Sequence, residues 1–169
     1  MEENHNQYGA AADPCEPLLA NSLYLFQAAE QFPVPIEVSY PDGVSAFVNR
    51  AFLKCFHIPE PGLVVGKLNL LKDPYLLSHM NLAESIERLF AGETLTIYDL
   101  KVPFREIEAR YNPGSRFAAE EIYQDIIGFP IKDAKGSLLF LVIVFLTKQV
   151  YRGQDDISKA RDYLELNWF

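Results

Sequence analysis

The stretch Ser137–Thr147, which reads SLLFLVIVFLT, is the most apolar part of the chain. Its apolar run is about half as long as the ~20 residues that a membrane-spanning helix needs. Because the run is rich in β-branched and aromatic residues and is bounded by Gly136 and Lys148, it predicts a β-strand that is buried on both faces. A buried helical segment is the alternative, since periodicity cannot separate the two over so short a run. A strand without a polar face belongs near the middle of a sheet.

The composition limits the classes of protein to consider. A length of 169 residues with 49% hydrophobic residues predicts one domain with tails. The formal charge of −8 argues against direct binding of nucleic acid, because phosphate contacts need a basic face. Two cysteines, Cys15 and Cys55, do not make a disulfide framework and fit a reducing compartment. Residues 1–13 lack the apolar core of a signal peptide, so we expect a cytoplasmic protein without a membrane partner.

The beginning of the chain predicts a tail followed by one helix. Residues 1–16 form a polar leader that we expect to be disordered. Residues 17–32 predict an amphipathic flanking helix, with Leu19, Leu23 and Phe26 on its apolar face. This face either packs on its own domain or forms the interface of a homodimer, and we take these three residues as the candidate interface.

Two glycine-containing turns predict β-hairpins. Pro41-Asp42-Gly43 lies between short strands over residues 36–40 and 44–48, where proline fixes φ and glycine supplies a positive φ. Asp133-Ala134-Lys135-Gly136 joins a strand over residues 121–131 to the apolar strand.

Short helices and a further strand fill the middle of the chain. Asn49 stands at the N-cap of a helix that ends before Pro59. A second helical pattern stops at Gly92, after which a two-residue period predicts a strand over residues 94–102. Residues 104–120 predict a long connection. The resulting order predicts an α+β fold, in which short helices cover one face of a five-stranded antiparallel sheet.

This order of elements resembles a PAS domain, which we assign to residues 33–150. The matching motifs are Pro41-Asp42-Gly43 followed by Asn49-Arg50-Ala51-Phe52, then Gly66, and then Pro130-Ile131-Lys132-Asp133 with Gly136. The resemblance implies a sensory or regulatory domain with an internal pocket. The long 104–120 connection departs from the short turn of the family.

The end of the chain carries a second resemblance. Residues 157–168 look like the opening helix of an AraC-type helix-turn-helix domain, so residues 154–169 are interpreted as a linker helix. The resemblance implies an AraC-family transcriptional regulator that meets DNA only through a domain absent from this chain. The alternative is a helix that closes a free-standing domain, which would leave Trp168 and Phe169 without a cover.

The PAS resemblance also implies a pocket between the sheet and the short helices. Its candidate lining residues are mostly apolar or aromatic, with Asn49 and tyrosine hydroxyls to orient a small-molecule ligand. They are Asn49, Phe52, Phe56, Ile86, Phe90, Tyr98, Tyr123, Phe129, Val142 and Val144. A filled core is the alternative, and the domain would then be a dimerisation module without a ligand.

No motif indicates catalysis or a cofactor. Cys55-Phe56-His57 lacks a second pair of residues at metal-ligand spacing. Neither a nucleophile motif nor a glycine-rich phosphate loop occurs. We therefore expect neither an enzyme nor a cofactor or metal. The remaining alternative is an enzyme that uses Asp99 or Asp125 as a base, with a pKa raised by burial.

Overall fold

The computed structural model describes residues 22–113 and 121–151. The helices are α1 (Ser22–Gln31), α2 (Arg50–Cys55), α3 (Ala83–Phe90) and α4 (Phe104–Tyr111), with a 3₁₀ turn at Pro61–Leu63 and a π-helical turn at Tyr75–His79. The strands are β1 (Ile36–Ser39), β2 (Ser45–Val48), β3 (Leu95–Val102), β4 (Glu121–Lys132) and β5 (Leu138–Tyr151). The predicted leader over residues 1–16, the start of the predicted 17–32 helix and the predicted linker helix over residues 154–169 lie outside the described residues.

The five strands form one antiparallel sheet in the order β2-β1-β5-β4-β3. The apolar run lies in β5, the central strand, as its lack of a polar face predicts. Leu141, Val142 and Ile143 are consecutive and all buried, so both faces of the sheet are covered at this point. The predicted α+β fold with a five-stranded antiparallel sheet is confirmed.

The two predicted hairpin turns are present. Gly43 has a φ of +86°, and the Asp42 carboxylate accepts a hydrogen bond from the backbone N–H of Val44 at 3.1 Å. In the second turn, the Asp133 carboxylate accepts from the backbone N–H groups of Lys135 and Ser137. Short polar side chains that bond to the backbone two residues onward stabilise such turns, which fixes the register of the strands that they join.

The inner face of the sheet is covered by the helices between β2 and β4. Phe52 and Phe56 of α2 pack against Phe145 of β5, with ring centroids 5.5 and 5.4 Å apart. Leu89 of α3 packs directly against Gly128 of β4, where an added Cβ would lie 2.5 Å from the leucine side chain. The missing side chain at residue 128 therefore allows α3 to lie close to the sheet.

Apolar side chains also lie on the outer face of the sheet. Val142 and Val144 alternate with the inward residues of β5, and they pair across the sheet with Val38 and Ile36 of β1. Helix α1 approaches this face through Phe26, whose ring centroid lies 5.4 Å from that of Phe47. The sheet is thus a layer between the short helices and α1. Among the described helices, none is long and apolar enough to cross a membrane.

The predicted connection over residues 104–120 contains a helix. Phe104 and Glu108 of α4 are buried, while Ile107 and Tyr111 pack against the same core cluster. These four positions form one helical stripe. The prediction missed it because arginine and glutamate residues interrupt the apolar pattern. Residues 114–120 lie outside the described ranges.

Candidate functional site

A cavity of about 120 Å³ lies between the inner face of the sheet and the covering helices. Its walls come from all parts of the inner layer: β1, α2, the π-helical turn, α3, β3, α4, β4 and β5. The lining residues are Glu37, Phe52, Phe56, Ile58, Leu68, Leu70, Tyr75, Leu76, Met80, Leu82, Ile86, Ile97, Val102, Ile107, Arg110, Tyr111, Gln124, Ile126, Ile143 and Phe145. Most of these side chains are apolar, so the few polar ones are conspicuous.

Glu37 is the acidic residue of the cavity wall. It lies on β1 opposite Ile143 of β5, which directs its side chain to the inner face, and it is only 2% exposed. The hydroxyl of Ser39 donates a hydrogen bond to its carboxyl group at 3.2 Å. Burial raises the pKa of Glu37 to about 7, and the hydroxyls of Ser39 and Ser45 offset only part of that rise.

Gln124 is a second polar group on the cavity wall, and it is completely buried. Its Nε2 donates a hydrogen bond to the Thr147 hydroxyl at 3.0 Å and lies 3.4 Å from the Cys55 sulfur. Within the described ranges, the Oε1 atom of Gln124 has no hydrogen-bond partner. A buried acceptor of this kind favours a hydrogen-bond donor in the cavity, from a ligand or a water molecule.

The wall opposite the sheet is held by a salt bridge between the loop before the π-helical turn and α4. The Arg110 guanidinium lies 2.6 Å from the Asp73 carboxylate. Burial acts to raise the pKa of Asp73, but hydrogen bonds from Arg110 and from the backbone N–H groups of Leu76 and Tyr75 outweigh it, so that the pKa is lowered. Burial and a hydrogen bond to Glu106 raise the pKa of Tyr75 to about 12, which keeps its phenol neutral.

Three of the predicted pocket residues line this cavity: Phe52, Phe56 and Ile86. Asn49 and Phe90 do not. Asn49 is the N-cap of α2, and its Oδ1 accepts hydrogen bonds from the backbone N–H groups of Phe52 and Ile36. Phe90 packs beside the cluster that contains Ile86 and Leu89.

The other five predicted pocket residues lie on the outer face, so their assignment to this cavity is corrected. Tyr98 is 70% exposed, and the Lys148 ammonium lies 5.9 Å from the centre of its ring. The remaining four alternate with inward residues of β4 and β5, and they are Tyr123, Phe129, Val142 and Val144. The physical reason is that both faces of β5 are apolar, so its sequence does not show which face is inward.

Sequence reasoning missed the two polar residues, Glu37 and Gln124. In Ile36-Glu37-Val38-Ser39, strand alternation would ordinarily send the apolar pair inward and the polar pair to solvent. Here Glu37 and Ser39 point inward and are buried. One feature of the sequence does indicate this orientation. The predicted flanking helix needs an apolar sheet face to cover, and Ile36 and Val38 can supply it only if Glu37 and Ser39 point to the other face.

The candidate dimer interface is only partly described. Leu19 lies outside the described residues. The side chains of Leu23 and Phe26 on α1 are 57% and 55% exposed, and their neighbours Tyr24 and Leu25 are exposed as well.

Asp99 and Asp125, the candidate bases of the enzyme alternative, both lie beside Lys148 on the outer side of the sheet. A hydrogen bond from the Lys148 ammonium lowers the pKa of Asp125, which is the opposite of the predicted shift. Asp99 also accepts a hydrogen bond from Lys148, at 2.9 Å on the outer side of the sheet. Across residues 22–113 and 121–151, no group of three or more His, Cys, Asp or Glu residues is placed to hold a metal ion.

Comparisons with known proteins bear on the fold. No protein-family model matches the chain, and no curated protein matches it either. Solved structures do match. The PAS domain of BvgS from Bordetella pertussis is 19% identical, with a TM-score of 0.51 over 86% of this chain and 98% of that one.

Two further structures extend the comparison. A domain of a sensory box sensor histidine kinase/response regulator from Geobacter sulfurreducens is 15% identical, with a TM-score of 0.53 over 78% of this chain and 98% of that one. VqmA from Vibrio cholerae, described as a LuxR-type receptor, is 12% identical, with a TM-score of 0.52 over 75% of this chain and 51% of VqmA. The chain thus has the α+β fold of PAS domains. The match to VqmA covers only about half of the length of VqmA.

Proposed function

We propose that this chain is the sensory domain of a transcriptional regulator and that it binds a small molecule in the inner cavity. The observation that carries the proposal is an apolar cavity whose wall holds two buried polar groups, Glu37 and Gln124. Burying polar groups without full hydrogen bonding costs free energy, so a wall of this kind is better explained by a ligand than by core packing. No catalytic step is part of the proposal.

The size of the cavity sets the size of the ligand. An apolar cavity of about 150 Å³ in another protein holds benzene. The cavity of about 120 Å³ therefore suits a single ring or a short branched chain, unless the surrounding helices move.

The regulator part of the proposal has two supports. VqmA, which shares the fold, has been described in a complex with a ligand and DNA. In this chain, residues 157–168 resemble the start of an AraC-type DNA-binding domain. The finer proposal is therefore an AraC-family regulator in the cytoplasm, in which DNA is bound by a helix-turn-helix unit and not by this acidic domain. A ligand would act by binding one conformation of the domain more tightly than another.

Native mass spectrometry tests the proposal. The purified chain is incubated with a protein-free extract of bacterial cells and measured before and after denaturation. We expect an additional mass that denaturation releases. Ile143→Phe, which fills the cavity, should abolish that mass, whereas Val144→Phe, on the opposite face of the same strand, should retain it. Absence of the additional mass from the unaltered chain, or its persistence in Ile143→Phe, would contradict the proposal.

The second candidate is a dimerisation module without a ligand, and the exposed apolar face of α1 favours it. Leu25 and Phe26 are about half exposed, next to a sheet face that is itself apolar. We propose that a second copy of the chain covers this face, which makes a homodimer compatible with both functions. Leu23→Glu with Phe26→Glu should give monomers in analytical ultracentrifugation, while Lys67→Glu, an exposed change among the short helices on the other side of the sheet, should not. An unchanged mass for the double variant would exclude this interface.

A further inference from the structure

An acidic side chain in the middle of an apolar cavity needs an explanation. Glu37 pairs with Val48 on one side and with Ile143 on the other, so it stands on β1 between two apolar neighbours. Its surroundings in the cavity include the rings of Phe52 and Phe56. A hydrophobic residue would complete this wall without the cost of removing a carboxyl group from water.

Among the described residues, no lysine, arginine or histidine forms an ion pair with Glu37. Arg110 also lines the cavity, but its guanidinium is bound to Asp73 at 2.6 Å. The hydroxyl of Ser39 donates a hydrogen bond to the carboxyl group at 3.2 Å, and the hydroxyl of Ser45 also acts to lower its pKa, so two serine hydroxyls are the polar groups beside it. The carboxyl group therefore retains hydrogen-bonding capacity that faces the cavity.

We propose that Glu37 is the anchor of the cavity ligand, and that the ligand is a small, mainly apolar molecule with one basic nitrogen, such as a primary amine. This inference rests on the proposed function, because it names the chemical class that the same cavity would take.

The chemistry of a carboxyl group and a basic nitrogen fits this cavity. Between them the two groups share one titratable proton: on the nitrogen it makes a charge-assisted hydrogen bond to the carboxylate, and on the carboxyl group it makes a neutral hydrogen bond to the amine. At neutral pH the buried carboxyl group of Glu37 can exist in either form, since its pKa is raised to about 7. A carboxylate ligand would instead place a second acid beside Glu37 in a region of low polarity, where like charges are most unfavourable.

Three probes of the same size distinguish the classes: benzylamine, benzyl alcohol and benzoate. Each is titrated into the full chain by isothermal calorimetry at neutral pH. We expect benzylamine to bind at least tenfold more tightly than benzyl alcohol and benzoate to show no binding. Glu37→Gln should weaken benzylamine binding at least tenfold and change benzyl alcohol binding less than twofold. Glu87→Gln, an exposed change of the same kind on α3, should alter neither.

The outcomes separate the two proposals. If benzyl alcohol binds as tightly as benzylamine, or if Glu37→Gln keeps the preference for the amine, the role of Glu37 is wrong although the cavity remains a binding site. If none of the three probes binds, the cavity is not a binding site for ring-sized ligands. The proposed ligand-binding function and the proposed role of Glu37 are then both wrong. Circular dichroism checks that Glu37→Gln is folded, and Glu37→Met provides a second variant with the same expected loss of amine preference.

Discussion

The two faces of the sheet are both covered, but they bury different kinds of side chain. The inner face, under the short helices, holds polar residues among its apolar ones, and four of these are almost completely buried: Glu37, Ser39, Ser45 and Gln124. The outer face, next to α1, carries apolar residues in the same strands, among them Ile36, Val38, Phe47, Val142 and Val144.

This difference reverses the usual rule for an antiparallel sheet, in which the polar face meets water and the apolar face meets the core. A polar residue on the inner face needs a partner there, and we propose that a ligand supplies it. An apolar outer face needs a cover, which α1 begins and which we propose a second copy of the chain completes.

The largest effect is expected from shortening a leucine on each face of β5. Leu141 is completely buried on the inner side, whereas Leu146 on the outer side is 38% exposed. Leu141→Ala should lower the free energy of unfolding by about 2–5 kcal/mol, and Leu146→Ala by less than about 1 kcal/mol. Urea denaturation measures both. Equal losses would show that the outer face is as tightly packed as the inner one.

The next largest effect is the dependence of the free energy of unfolding on pH that Glu37 introduces on the inner face. Its pKa rises from 4.5 in the unfolded chain to about 7 in the folded one. The folded state therefore holds this proton more tightly, so the contribution of Glu37 to stability is complete below about pH 4.5 and is lost as the pH rises to about 7. The loss amounts to roughly 3 kcal/mol.

Glu37→Gln should remove this loss. Relative to the unaltered protein, the variant should become more stable as the pH rises from about 4.5 to about 8, by up to about 3 kcal/mol. Urea denaturation at a series of pH values measures the difference. If the difference between the two proteins does not change with pH, then Glu37 titrates as it would in water, and the inner face is not the dry environment described above.

A smaller effect is expected from the residue that joins the two layers. Asn49 caps α2 on the inner side through its Oδ1, and its Nδ2 donates to the carbonyl oxygens of Phe32 and Val34 in the segment that follows α1. Asn49→Ala should cost about 2 kcal/mol of stability. Asn49→Ser keeps a cap but loses the donors, so it should cost about half as much; thermal unfolding compares the two. Equal costs would mean that only the Nδ2 donors contribute, and no cost for Asn49→Ser would mean that only the cap does.

The smallest effect is expected on the exposed outer rim. The Lys148 ammonium lies 2.9 Å from both Asp99 and Asp125. Surface ion pairs contribute little to stability, so Lys148→Ala should leave the unfolding temperature unchanged within error. The pKa of Asp125, which Lys148 lowers, should rise towards its ordinary value, as followed by carboxyl-carbon NMR. A large drop in unfolding temperature would show that this rim is structural.

The sequence was sufficient to predict the fold, but it was not sufficient to predict which strand residues point to the inner face of the sheet. The central position of β5 could be predicted because a strand with apolar residues throughout needs two covers. The hairpins could be predicted because Asp42-Gly43 and Asp133 carry local turn chemistry that depends on few distant contacts.

The cavity wall could be predicted only in part. Helical residues such as Phe52, Phe56 and Ile86 were recognised because a short amphipathic helix has a single apolar face to present. The orientation of strand residues such as Val142 and Val144 was not recognised. Both alternate sets of residues along β5 are apolar, so the sequence does not show which set points to the inner face. Helix α4 was missed for a related reason, since its buried Glu108 interrupts the apolar stripe.

The measurement that tests the account most directly is a methyl NMR titration of the full chain with benzylamine. The isoleucine methyl groups of Ile86, Ile126 and Ile143 report on the cavity, and the valine methyl groups of Val38 and Val144 report on the outer face. We predict saturable shifts of the three isoleucines and unchanged valines. Shifts confined to the valines, or no shift of the isoleucines at the highest probe concentration, would contradict the assignment of the inner face as the ligand site.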